Sequence, residues 1–328
     1  MALLSKNDKI FVAGHRGLVG SAIVDRLKAG GYAKVIVRTR DEMDLSDTQI
    51  VDQFFKAEKP DVVFIAAAKV GGIVANNTFR ADFIYENLLL QNNLIWSAHK
   101  HDVHRVVFLG SSCIYPREAP QPIKEIDLLT GVLEYTNRPY AIAKIAGVEL
   151  INGLRKQYGR DYFSLMPTNL YGPNDNFHPD HSHVIPGLIN RMIEAKISQS
   201  KTFAVWGTGR VYREFMNSID CAATVVGLAE QLTYDDIEDS LIGKLGWSHI
   251  NVGSGQEVTI RELASLIKDL VGFQGELIFD ESKPDGTPRK LLDLGLLQSL
   301  QKKKIIPTPL RDGLRDVIKN RLEIAGIN

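Results

Sequence analysis

Tyr140 and Lys144 stand four positions apart in the run Asn137-Arg138-Pro139-Tyr140-Ala141-Ile142-Ala143-Lys144. Asn137 reads as an N-cap and Pro139 as a first-turn residue, so the two side chains fall one turn apart on the same face of a helix. An ammonium about 4–6 Å from a phenol favours the phenolate and draws the tyrosine pKa down from about 10 toward working pH. Such a tyrosine trades a proton with a carbonyl or alcohol oxygen. Just upstream, Gly110-Ser111-Ser112-Cys113-Ile114-Tyr115-Pro116 contributes two hydroxyls and a thiol. Serines in that position commonly cap helices or form turns, but no helix pattern starts there to be capped. A bare Tyr-x-x-x-Lys pair is common on helix surfaces, so its meaning depends on the elements that must position it.

The first of these elements runs from Lys9 to Ala13, a buried-strand pattern leading into Gly14-His15-Arg16-Gly17-Leu18-Val19-Gly20 and a helix from Leu18 to Ala29. This Gly-x-x-Gly-x-x-Gly spacing is a variant of the dinucleotide fingerprint. It allows a tight turn, close backbone approach to a pyrophosphate and close helix-on-strand packing, with the helix N-terminus facing the anion. The second strand, Val35-Ile36-Val37, ends in Arg38-Thr39-Arg40, where NAD-binding proteins place an acid for the ribose hydroxyls. Arginines there, with Arg16 in the glycine loop, suit a 2′-phosphate and predict NADP(H) over NAD(H). Asp41 and Glu42 follow at once, and either reaches the ribose if the turn ends differently.

The alternation continues with a helix over 46–58, a strand over 61–67, a helix over 82–101, a strand over 105–109, the Tyr140 helix over 139–158 and a strand over 162–166. Helices alternating with apolar strands predict an α/β fold, a Rossmann-like, doubly wound parallel sheet. Ligands of such sheets sit beyond the carboxyl ends of the strands, which sets Ser111, Ser112 and Cys113 at the cofactor's edge. Beyond Pro167 the pattern loosens into a turn-rich exit and a polar loop, 174–183, that holds three of the eight histidines, His178, His181 and His183. Helices over 184–194, 220–231 and 259–271 and a strand over 203–206 follow. The chain thus divides into a nucleotide-binding part, 1–170, and a smaller mixed α/β substrate part, 171–328, with room for chain that crosses back to the first.

Composition excludes several classes of function. The chain has 328 residues, enough for one large or two modest domains, and 39 basic residues balance 39 acidic ones. No overall field recruits nucleic acid or an acidic membrane. No segment approaches the ~20 apolar residues of a membrane span, and no long apolar stretch follows Met1, so a cytoplasmic location is expected. Cys113 and Cys221 make neither a disulfide framework nor a metal cluster, and Cys221 reads as a buried structural thiol.

With the glycine loop, the serine after the fourth strand and the Tyr140/Lys144 pair in their expected places, the chain resembles the extended short-chain dehydrogenase/reductases. Within them, the stretches 66–73, 111–116, 139–147, 166–173, 176–179 and 283–292 resemble the GDP-L-fucose synthase family. That match covers about nine-tenths of the chain by motif position and thins after Asp293. The resemblance implies epimerisation at C3 and C5 of GDP-4-keto-6-deoxy-D-mannose, then NADPH-dependent reduction at C4. It implies Ser111, Cys113, Tyr140, Lys144 and His183 as catalytic residues, Cys113 as base and His183 as acid. The sequence itself does not choose His183 over His178 or His181, and shows no partner that would activate Cys113. It further implies NADP(H) contacts at Gly14, Arg16, Gly17, Leu18, Val19, Gly20, Arg40, Ala67, Asn87, Leu109, Gly110, Ser111, Lys144, Pro167, Asn169, Leu170 and His183. Arg191, Trp206, Arg213, Asp285 and Lys290 are implied contacts of the GDP-sugar. The helices over 82–101 and 139–158 resemble the pair that forms a four-helix homodimer interface in relatives. A colitose-type synthase or a non-catalytic NADP-sensing protein are the competing readings. The complete Ser111/Tyr140/Lys144 set argues against the sensor, and Cys113 with His183 against a plain reductase.

Overall fold

A computed structural model describes residues 3–178, 182–283 and 285–326; Pro179 and His181 lie outside the described residues. The chain opens with β1 (Ile10–Ala13), α1 (Leu18–Ala29), β2 (Val35–Ile36), α2 (Thr48–Glu58) and β3 (Val62–Ile65). Then come α3 (Ile73–Thr78), the long α4 (Arg80–Lys100), β4 (Arg105–Leu109), α5 (Arg138–Tyr158) and β5 (Asp161–Pro167). The second half adds β6 (Asn169–Tyr171), α6 (Val184–Ile197), β7 (Thr202–Trp206), β8 (Tyr212–Asn217), α7 (Ser218–Gln231), α8 (Tyr234–Glu238) and α9 (Leu241–Lys244). It ends with β9 (His249–Val252), β10 (Glu257–Thr259), α10 (Ile260–Val271), β11 (Glu276–Asp280), α11 (Gly295–Leu300) and α12 (Leu310–Ile324).

Every residue of β1, β3, β4 and β5 is buried, which is why these strands read as continuous apolar runs. They lie in one sheet of order β2-β1-β3-β4-β5-β9, parallel throughout, the doubly wound arrangement expected. Phe54 and Phe55 of α2, Leu94 and Ile95 of α4 and Val148 and Ile151 of α5 cover one face. Ile23 and Leu27 of α1 with Val225 and Leu228 of α7 cover the other. Each such side chain contributes about 1.5–3 kcal/mol by leaving water. The strand order reverses beside β1, so the ligand crevice opens beyond the carboxyl ends of β1 and β3.

β9 reaches this sheet from the second half, and no strand was expected at 249–252. His249 and Asn251 disguise it, because a polar alternation looks like loop. Both are fully buried on partners far away: His249 Nε2 lies 3.1 Å from the Glu125 carbonyl, and the Asn251 amide donates to the Glu125 carboxylate at 2.9 Å. A third core lies under α6, α10 and α12, where Leu188, Ile189, Leu263, Ile267, Leu314 and Val317 pack on Phe203 and Phe215. That part of the chain carries two small sheets, β10-β8-β6 and β11-β7.

Helix ends follow local chemistry. Asp47 accepts from the amides of Gln49 and Ile50, so α2 starts two residues later than the apolar pattern suggests. Thr259 and Glu262 form a capping box on α10, and Gly272 closes it with φ 73°. Asn137 holds the N-cap position of α5 but its side chain makes no cap bond. The Glu134 carboxylate orders that entry instead, accepting from Asn137 N at 3.1 Å and Thr136 Oγ1 at 2.5 Å.

Candidate active site

The turn after β1 is built as the glycine spacing requires. Gly14 has φ +89°, and a Cβ on it would sit 2.6 Å from the amide nitrogen of Ala67, at the end of β3. A Cβ on Gly20 would meet the Gly14 carbonyl at 2.1 Å, so the helix can pack this closely only with glycine. Gly17 is the N-cap of α1 without a side-chain cap bond, which leaves the first-turn amides at Leu18 and Val19 directed at whatever occupies the crevice. These features suit a pyrophosphate.

At the end of β2 the three basic residues separate into two roles. Arg38 donates to the Glu58 carboxylate at 2.6 Å and to the Val37 carbonyl at 2.9 Å, and lies over the Phe54 ring. Arg16 and Arg40 are exposed. Glu42 is turned back on its own loop, accepting from the Thr39 amide at 2.7 Å, which occupies one of the two acids that competed for the ribose, while Asp41 stays exposed.

Ser111, expected to have no helix to cap, caps a short 3₁₀ turn, Ser112–Ile114, its Oγ accepting from the Cys113 amide at 3.2 Å. The turn is too short to leave a hydrophobic period in the sequence. The same hydroxyl lies close enough to the Tyr140 phenol to favour its ionised form. At Gly110, a residue earlier, a Cβ would meet the end of the Met166 side chain, Cε at 2.3 Å, which would have to shift.

The electrostatics of the Tyr140/Lys144 pair reverse the expectation of a phenolate. Lys144 is buried, its Nζ donating to the Leu109 carbonyl at 2.8 Å and lying 5.8 Å from the Tyr140 ring centre. Burial pushes this amine down to about 7. Tyr140 keeps part of its area open, yet its phenol sits deep enough for desolvation, reinforced by Cys113, to raise its pKa against the influence of Ser111. Desolvation wins because the ammonium faces a carbonyl and is itself weakened. The phenol is therefore protonated near neutral pH.

Cys113 is partly exposed, and Lys290 Nζ lies 3.6 Å from its sulfur. The sequence shows no partner for this thiol because Lys290 comes from the far end of the chain. Cys221 is fully buried, and its thiol is pushed up to about 12. His183 is the N-cap residue of α6 and makes no cap bond with its side chain. The residue is exposed, yet neighbouring chain desolvates its ring enough to hold its pKa below the usual imidazole value.

Arg191 lies with its guanidinium 5.2 Å from the Phe203 ring and 5.8 Å from the Trp206 ring. Arg213 donates to the carbonyls of Tyr212 and Thr287 at 2.7 and 2.6 Å. Burial lowers the pKa of both, and neither has a carboxylate within ion-pair distance among the described residues. Trp206 is 56% exposed, a poor fit for a core aromatic. Asp285 accepts from the amide and hydroxyl of Thr208 at 3.0 and 2.7 Å, which pins the loop after β11 onto the end of β7.

Asn87 is fully buried. Its amide pairs with both backbone groups of Lys69 at 3.0 Å and donates to the Phe83 carbonyl, so it fixes the segment after Ala67 and presents no free amide to the crevice. Pro167 ends β5, and Asn169 and Leu170 begin β6, with Asn169 donating to the Glu214 carbonyl at 3.0 Å. Glu214 itself went unnoticed: a buried acid in β8 whose carboxylate accepts from the amides of Gly255 and Leu292 at 2.7 and 3.1 Å. The sequence hides it, because it reads as an ordinary surface charge beside Arg213 in the short strand β8. Among the described residues no group of His, Cys, Asp and Glu is arranged to hold a metal ion, and no helix is long and apolar enough to cross a membrane.

Comparison with known proteins agrees with this geometry. Residues 10–243 match the NAD dependent epimerase/dehydratase family. The chain is 53% identical to GDP-L-fucose synthase of Escherichia coli K12 over 295 residues, 89% of this chain and 90% of that one. It is also 53% identical to GDP-L-fucose synthase 1 of Arabidopsis thaliana, over 95% of this chain and 93% of that one. A GDP-mannoheptose C4 reductase from Campylobacter jejuni, solved with NADP bound, superposes with a TM-score of 0.87 at 37% identity, covering 97% of this chain and 99% of that one. A glycine turn, a Ser111–Tyr140–Lys144 group and a thiol at the end of β4 in a chain so close to these enzymes make it a member of the NAD dependent epimerase/dehydratase family and, within it, of the GDP-L-fucose synthases.

Proposed function

We propose that this chain converts GDP-4-keto-6-deoxy-D-mannose to GDP-L-fucose, inverting C3 and C5 and then reducing C4 with NADPH. The observation that carries the reading is the meeting of Cys113 and Ser111, just past β4, with Tyr140 of α5. Ketone reduction uses the tyrosine and the serine, and has no use for a thiol beside them. A 4-ketone acidifies the hydrogens on C3 and C5, so inversion needs a base to remove each proton and an acid on the opposite face to return one. Cys113 is the base and His183 the acid. Each removal leaves the C–H electron pair as an enolate whose charge rests on O4, where Ser111 and Tyr140 donate hydrogen bonds. At reduction Tyr140 gives O4 its proton, and the same cradle thus serves both steps.

The glycine turn of Gly14, Gly17 and Gly20 and the first amides of α1 suit the pyrophosphate, and exposed Arg16 and Arg40 suit a 2′-phosphate. Bound there, NADPH supplies the hydride. Lys144 holds the nicotinamide ribose, and Ala67, Leu109, Gly110, Pro167, Asn169 and Leu170 line the crevice. Arg191 and Arg213, partly buried without a carboxylate at ion-pair distance, take the diphosphate of the substrate, with Trp206 and Asp285 at the nucleoside. Residues 1–170 with β9 carry the cofactor and the rest of 171–328 the sugar nucleotide. A cytoplasmic location fits two cysteines without a disulfide.

Incubation with NADPH and GDP-4-keto-6-deoxy-D-mannose, with the sugar identified by NMR, should yield GDP-L-fucose. GDP-rhamnose as the product would mean reduction without epimerisation and would refute the reading. The assembly is a homodimer through α4 and α5, whose outward faces carry Tyr85, Trp96, Ile142 and Tyr158, between 42% and 65% exposed. Light scattering at micromolar concentration should give twice the mass of the chain, and a monomer mass would overturn that assembly.

A further inference from the structure

We propose that Lys290 is the charge partner of Cys113: its ammonium donates a hydrogen bond to the sulfur and holds it as a thiolate, making Cys113 the reactive thiol of the chain. This rests on the reading of Cys113 as the base, although the test below does not. The resemblance assigns Lys290 to substrate binding, and the geometry points to another task. Its Nζ lies 3.6 Å from the sulfur, within hydrogen-bond reach of so large an acceptor. Among the described residues no carboxylate lies within ion-pair distance of it, so the thiol is the one side chain it addresses.

A lysine is a flexible donor, and the backbone that carries this one is fixed on both sides. The Leu291 amide donates to Gln121 Oε1 at 2.9 Å, and the Leu292 amide to the buried Glu214 carboxylate at 3.1 Å. Ile123 N donates to the Leu291 carbonyl at 2.8 Å, and Asp293 N to the Ile123 carbonyl at 2.7 Å. Residues 121–123 continue the same loop that holds Cys113, so the two partners are tied together by backbone as well as by side chain. Gln121 and Glu214 therefore act as positioning residues for the ammonium.

The charged and titratable groups around the sulfur agree in sign. Arg213 of β8 and Tyr140 of α5 are near enough to couple electrostatically with the sulfur, and Asp285 couples with Arg213 without reaching ion-pair distance. With the phenol protonated, Lys290 at 3.6 Å and the more distant Arg213 give the thiol an electropositive setting, the kind in which cysteines become nucleophiles and bases. In the exchange step the thiolate takes the carbon-bound proton and becomes a thiol. The C–H pair forms the enolate double bond, the carbonyl pair moves to O4, and Lys290 keeps its proton throughout.

Alkylation of the free protein by iodoacetamide, followed across pH by mass spectrometry of the Cys113 peptide, reads the thiolate without sugar or cofactor. Cys221 serves as an internal control because it is buried and its thiol is pushed up to about 12. Lys290→Met should move the alkylation midpoint up by about one pH unit and slow labelling near neutral pH by about tenfold, and Lys290→Arg should restore most of it. Superimposable pH profiles for wild type and Lys290→Met would overturn the proposal. Labelling of Cys221 would reveal an unfolded variant, in which case Lys290→Gln gives the same reading. If Cys113 proved not to be the base in turnover, this profile would still decide whether Lys290 sets its charge.

Discussion

Tyr140→Phe should lower the rate of C4 reduction by about 10²–10⁴-fold, the contribution of a positioned general acid, while the protein stays folded. Reduction ends with a proton on O4, and a phenol kept protonated by burial is the form that can supply it. Lys144, its amine pushed down to about 7 and held by the Leu109 carbonyl, limits how far the phenolate is favoured before ligands enter. Phenylalanine preserves the ring and removes the oxygen on which Ser111 acts. NADPH consumption in single turnovers measures the loss, and a decrease smaller than about tenfold would assign the proton to another group.

Asp161→Asn should destabilise the fold by about 3–5 kcal/mol, the range for removing one partner of a buried charge cluster. Asp161 begins β5, at the amino-terminal end of an interior strand and away from the cleft beyond the carboxyl ends. Its carboxylate hydrogen-bonds Arg105, whose guanidinium is fully buried and also reaches the carbonyls of Ala229 and Leu232. Arg155, 1% exposed, lies 3.9 Å from the second carboxylate oxygen and continues to Glu238 at 3.0 Å. An asparagine leaves the buried Arg105 with backbone carbonyls alone, while Arg155 keeps Glu238. Urea denaturation reads the cost, and kcat/KM should remain close to wild type because no catalytic group touches this cluster. A change below about 1 kcal/mol would show that the carbonyls alone neutralise Arg105.

Much of this molecule could be read from the chain because the relevant interactions are local. The strand, glycine turn and helix at 10–29 are encoded by period and by three glycines, and their ends fall within a residue of expectation. What escaped depends on distant partners. β9 is polar by sequence and a core strand only because Glu125, more than a hundred residues earlier, satisfies it. Ser111 caps a single turn, which leaves no periodic trace. The phenol's direction depends on how much water the folded cleft excludes, and spacing along a helix says nothing of that. Lys290 meets Cys113 across 177 positions, a contact that neither residue announces.

The central claim is that one pocket exchanges protons at two carbons before it reduces the ketone between them. Running the reaction with NADPH in deuterium oxide and locating the label by NMR tests it most directly. The account predicts GDP-L-fucose carrying deuterium at C3 and C5, with wash-in abolished by Cys113→Ser or His183→Gln in folded protein. A reduced product with protium at both carbons, or wash-in unchanged in those variants, would contradict it.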